Sequence, residues 1–189
     1  MKKIFLVIAF SLCLEACIPT AFVAGAAAGG AVIYDQRSAQ TILDDRDITY
    51  RVQAKLNQDP ELKGVARLSV AAFNHTVLIV GQAPTDDLKK RAENLAYLIP
   101  KVSRVYNEIT VEKPASLIAS SNDMWLTTKV KTALLAEKGL SSSQIKIVTE
   151  SGVVYMMGIV SHNQANLATA CTQKVAGVQK IVKLFEYES

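Results

Sequence analysis

Few residues of this chain have types and spacing that could do chemistry. Trp125, the only tryptophan in 189 residues, stands one helical turn before Lys129 in NDMWLTTKVKTALL, residues 122–135. At 100° per residue the apolar ridge of that segment is Leu126, Val130, Ala133 and Leu134, and Trp125 falls beside it on a stripe shared with Lys129 and Thr132. A large ring next to an ammonium group is there either as a rim residue of the core or as part of a surface that meets something apolar and negatively charged. The other candidates offer less. His75 falls in a turn, His162 in the first turn of a helix and Cys171 on an apolar helix face, so they make no metal set. Asp44-Asp45 and Asp86-Asp87 are paired acids at helix starts, where the helix dipole accounts for them. Lys89-Lys90-Arg91 reads as a solvated helix face. The serines at 141–143 form a turn with no base to activate a hydroxyl, and no glycine-rich phosphate loop occurs. Binding rather than catalysis is expected, with no cofactor and no metal.

The N-terminus carries a different chemistry. Met1-Lys2-Lys3 is a short positive region, and Ile4 to Leu14 is an apolar run of secretory-signal length, too short to span a bilayer. It ends in Leu14-Glu15-Ala16-Cys17, which resembles the bacterial lipobox, although Glu15 departs from the small or apolar residue usual there. The resemblance implies a lipid on Cys17 and cleavage just before it, with Ile18 rather than Asp after the cysteine implying the outer membrane. Three acyl chains at ~0.8 kcal/mol per buried methylene would anchor the chain permanently. An ordinary secretory signal, with Cys17 unmodified and the protein soluble in the periplasm, is the alternative. The formal net charge is +4, and losing residues 1–16 with Lys2, Lys3 and Glu15 leaves +3, which is mildly basic and no nucleic-acid footprint. Cys13 leaves with the signal and Cys17 would carry lipid, so Cys171 has no partner for an internal disulfide.

The elements that must position Trp125 are visible through an internal repeat of about 77 residues. Ile48, Val52 and Leu56 recur as Leu126, Val130 and Leu134; Leu68-Ser69-Val70 recurs as Ile145-Lys146-Ile147; VLIVG ending at Gly81 recurs as VYMMG ending at Gly158. Residues 99–109, IPKVSRVYNEI, match 175–185, VAGVQKIVKLF. Each copy reads helix, strand, strand, helix, strand. Asp45 and Asp123 are read as N-caps of the first helices. Asn74-His75 and Ser151-Gly152 supply turns to second strands at 76–82 and 153–159. Second helices are expected at 85–99, opened by Thr85-Asp86-Asp87, and at 161–176, opened by a Ser161–Gln164 capping box. Final strands follow at 103–111 and 179–187. Each copy should be a two-layer α+β sandwich, a three-stranded sheet with one apolar face against two helices.

This element order, the glycine closing the second strand, and the VAGVQKI ending at 175–181 resemble the BON domain; IPKVSRV in the first copy is a looser match. Two such units behind a lipobox resemble the dual-BON outer-membrane lipoproteins of Gram-negative bacteria. The resemblance implies residues 1–16 as signal peptide, 17–43 as a lipidated Ala/Gly-rich tether, 44–112 as the first BON domain, 113–122 as linker and 123–189 as the second. It further implies a role in outer-membrane integrity, localisation to division sites, and binding of anionic phospholipid membranes by the first helix of the second domain through Trp125. With Trp125 go Leu126, Lys129, Lys131 and Thr132 as the expected contact set. Aligning the copies puts Asp47 opposite Trp125 and Arg51 opposite Lys129, so the indole belongs to the second copy alone. A protein adaptor that docks envelope or division proteins on the same patch is the alternative function.

Overall fold

The computed structural model describes the backbone of residues 35–114 and 117–188, and the side chains of all of these but 117–121. The signal peptide, Cys17 and most of the tether lie outside the described residues. The elements are α1 (Ala39–Gln58), β1 (Arg67–Phe73), β2 (Thr76–Ala83), α2 (Asp86–Tyr97) and β3 (Arg104–Val111), then α3 (Leu117–Ala136), β4 (Ile145–Glu150), β5 (Val153–Val160), α4 (His162–Gln173) and β6 (Lys180–Tyr187). The order helix, strand, strand, helix, strand occurs twice. In each sheet the second strand is central, antiparallel to the first and parallel to the third.

The first helices begin earlier than the sequence reading placed them. Ser38, not Asp45, caps α1, its side chain accepting from the Thr41 N–H at 3.0 Å, and α3 takes in residues 117–122 of the expected linker. Asp45 and Asp123 sit inside their helices and are buried. They cap something else. Asp45 accepts from the backbone N–H groups of Asn74 and His75, both at 2.8 Å; Asp123 accepts from Ser151 at 2.8 Å and Gly152 at 2.9 Å. All four turn residues have positive φ, between 49° and 76°, as a two-residue type I′ hairpin requires. A carboxylate facing both inward N–H groups holds each turn to its helix. Thr85 caps α2 and Ser161 caps α4 as expected. The capping box is only half formed, because the Gln164 side chain turns away to bond Gly139 O and Ser141 N in the loop before β4.

A second correction concerns the sheets, which were expected to bury one face each. Val77 and Ile79 pack with Ile48, Val52 and Leu56 under the helices of the first domain, and Val154 and Met156 pack with Val130 and Leu134 in the second. The alternate residues Leu78, Val80, Tyr155 and Met157, with Phe73 and Leu184, form a third core between the two sheets. Period-two side chains therefore serve two interfaces, and the architecture is helices, sheet, sheet, helices. Polar contacts ring the sheet-to-sheet core. Arg67 pairs with Glu150 at 2.8 Å, the fully buried Gln82 donates to Glu150 at 2.7 Å, and Asn74 donates to Glu186 at 2.6 Å.

Candidate functional site

The site is the outward face of α3. Its inward ridge, Leu126, Val130 and Leu134, is fixed in the second core, and that leaves Trp125 64% exposed, with Met124 at 74% and Leu135 at 76%. On the helical wheel these three fall on one arc of about 100°, with the exposed Thr128 and Thr132 between Met124–Trp125 and Leu135, a face that the ridge pattern alone did not reveal. Lys131 and Thr132 are exposed and Lys129 is half-buried. Leu126 is a correction to the expected contact set: at 5% exposure it belongs to the core, as its own place on the ridge requires. Lys129 and Lys131 stand on opposite shoulders of that face rather than beside each other. Lys129 Nζ donates to Ala176 O at 2.5 Å.

Beside Trp125 lies a groove of about 460 Å³ lined by Asn122, Lys129, Ser151, Gly152, Gly177 and Gln179. The first copy fills the same place. There Asp44 stands for Asn122, His75 for Gly152 and Lys101 for Gly177, and the larger side chains bond one another: Lys101 to Asp44 at 2.8 Å and His75 to Asp44 at 3.3 Å. Lys101 even holds a positive φ, 69°, where Gly177 takes 104° without strain. The hydrogen bond from Lys101, with that from Gln40, lowers the Asp44 carboxyl to a pKa of about 2. A depressed carboxylate stabilises the fold above its ordinary pKa and loses that contribution as pH falls through the folded value. The unfolding midpoint of the protein should therefore drop between about pH 4 and pH 2 more steeply than that of Asp44→Asn; parallel acid titrations by circular dichroism test this.

The two histidines lie apart, His75 on Asp44 in the first domain and His162 stacked on Tyr187 in the second with ring centroids at 4.0 Å. Cys171 is buried in the second core, and burial raises its thiol pKa. Among the described residues no helix is long and apolar enough to cross a membrane.

Two α-β-β-α-β domains, each with a tightly packed glycine near the end of its second strand, define the class of protein. The BON domain model matches residues 44–113 and 122–189, and the chain belongs to the BON-domain family, with the domain present twice. It is 33% identical over 187 residues to the outer membrane lipoprotein DolP of Haemophilus influenzae, covering 99% of this chain and 96% of that one. To the 21 kDa hemolysin of Actinobacillus pleuropneumoniae it is 39% identical over 153 residues, 81% of this chain and 79% of the relative. Osmotically-inducible protein Y of Escherichia coli is 27% identical over 157 residues, 82% and 78% of the two chains.

Proposed function

We propose that this chain is an outer-membrane lipoprotein, anchored on the periplasmic side through acylated Cys17, that binds anionic phospholipid with the outward face of α3 and so supports outer-membrane integrity, including at division sites. It acts by binding and not by catalysis. The observation that carries this reading is the exposed Trp125 with Met124 and Leu135 between two lysines, set against Asp47 at the equivalent place in the first copy, where Asp47 pairs with Arg51 at 3.5 Å. The fold does not require an indole there, since one copy does without it.

Burying one large apolar side chain at headgroup depth contributes roughly 1.5–3 kcal/mol, and each lysine near an anionic surface about 1 kcal/mol. The sum is a weak peripheral contact. For a protein already tethered by acyl chains that suffices to select lipid composition, because the local concentration of membrane is high. Trp125→Glu should weaken pelleting with phosphatidylglycerol vesicles at least about tenfold, from the loss of that apolar burial, while leaving the circular dichroism spectrum unchanged. Equal pelleting of the variant would remove the site. The second reading, docking of an envelope or division protein, draws on the same exposed face, whose apolar side chains suit a protein surface equally well. A crosslinker at position 125 should then give one defined protein adduct that persists when the lipid composition is changed.

A further inference from the structure

A groove of about 720 Å³ lies away from Trp125, between α1 and the start of β4. Its lining sets an apolar strip, Ile42, Tyr50, Ala54, Phe73 and Ile145, among polar side chains that include Thr49, Asn57 and Ser143. Lys146 also lines it, a half-buried ammonium that donates to Ala72 O at 2.9 Å, a neutral acceptor. No carboxylate pairs with Lys146 among the described residues. The one acid lining the groove, Asp45, has both oxygens engaged by the hairpin N–H groups and by Arg37, at 2.8 Å each. Arg37 lies over the Phe73 ring at 3.9 Å, and Arg46 stands exposed on the rim. Burial lowers the Lys146 pKa, with the Asp45 carboxylate pulling the other way and not offsetting it.

The other half of the molecule shows that this chemistry is particular to the place. A counterpart groove of about 520 Å³ is lined by α3, the end of β4 and the start of β1, the same elements with the domains exchanged. There Ser69 stands where Lys146 does, Glu150 replaces Phe73, Thr149 replaces Ala72 and Lys131 replaces Gln53. The counterpart is polar and holds an acid. The fold generates the groove twice and sets an ammonium and an aromatic ring in it once, at Lys146 and Phe73, where the other copy has Ser69 and Glu150.

We propose that the α1–β4 groove binds a single-chain fatty-acid carboxylate, the anion on Lys146 and the acyl chain along Tyr50, Ala54 and Phe73. A groove of this volume is within the range of small-molecule sites. An anion there supplies the charge partner that Lys146 lacks, while Ile42, Phe73 and Ile145 offer the chain a surface that water covers poorly. The ligand is a free monoacyl anion and not a bilayer, because Lys146 lies in the seam between the domains whereas a bilayer meets an outward helix face. Gln53 closes the groove to an extended peptide by sealing the β1 edge, donating to Leu68 O and accepting from Val70 N, both at 3.1 Å.

The test titrates decanoate, below its micelle concentration, into the full chain carrying Cys17→Ser, and follows backbone amide shifts by nuclear magnetic resonance. Saturable shifts at Ala72, Phe73, Ile145 and Lys146 are expected, with unchanged emission from Trp125 on its separate helix. Decanol, with the same chain and no charge, should bind at least about tenfold more weakly, as should decanoate to Lys146→Gln. Because Lys146 also bridges the domains, Ala54→Phe is the second variant: it fills the groove from α1 without touching the bridge and should abolish binding at an unchanged melting temperature. Equal affinity for decanol, unaltered binding to Ala54→Phe, shifts centred on α3, or no saturation would each overturn the proposal.

Discussion

Gly81→Ala is expected to be the most damaging single substitution in the first domain. Gly81 pairs with Leu68 across the β1–β2 hairpin, and a Cβ at position 81 would lie 2.0 Å from Arg67 O, with φ at +121° where a side chain is strained in any case. The obstacle is backbone already paired in the ladder, so relief means parting the start of β1 from β2. Parting them disturbs Arg67 and Gln82, which hold Glu150 of the second domain. A cost of about 4 kcal/mol or more is expected, a large share of the 5–15 kcal/mol a domain possesses. Gly158→Ala meets Gln144 O at 2.5 Å without a left-handed φ, and Gln144 ends a short 3-10 turn at the edge of its sheet. It should cost about half as much. Urea unfolding of the two variants measures the order; a milder Gly81→Ala would contradict the stated geometry.

Asp45→Ala should be the second large effect, about 2–4 kcal/mol, because it takes the acceptor from two turn N–H groups at once and leaves the Arg37 guanidinium with Asp35 alone, at 2.8 Å. Asp45→Asn should recover little: its amide can accept at one atom only and turns an NH2 group toward the other donor. Asp123→Ala removes the same two turn contacts but no guanidinium that the described residues show, so about 2–3 kcal/mol is expected. A second change separates clamp from fold. Without the carboxylate, the hairpin must hold Asn74 and His75 at φ of 49° and 61° unaided, and His75→Gly makes this the Asn-Gly pair that type I′ turns prefer. Adding His75→Gly to Asp45→Ala should restore part of the loss, read as a rise in the urea midpoint. No recovery would place the role of Asp45 in its Arg37 pair alone.

Much of this molecule is legible in the sequence because its local signals agree. The strands after Asn74-His75 and Ser151-Gly152, the caps at Thr85 and Ser161, and the glycines at 81 and 158 follow from turn and packing rules that act within one hairpin or one helix turn. Asp45 and Asp123 were misread for a physical reason: a carboxylate before an apolar ridge looks like a cap, and only the fold shows that the N–H groups it meets belong to a hairpin roughly thirty residues away. The second apolar face of each sheet had a readable signal, since VLIV and VYMM are unbroken apolar runs and a strand with one solvated face alternates. Met124 and Leu135 were legible on the same helical wheel that exposed Trp125. The α1–β4 groove was not, because Lys146 and Phe73 acquire it only when the two sheets meet.

The back-to-back sheets bear on how such a chain could have arisen. Either half released by proteolysis or expressed alone would present Leu78, Val80 and Phe73, or Tyr155, Met157 and Leu184, to water as an oily plane, and would be driven to find another of its kind. Duplication thus looks less like the addition of a spare module than like the tying together of two subunits that already needed each other. Once joined, two halves are free of the symmetry a homodimer imposes, and here one carries an indole where the other carries an acid.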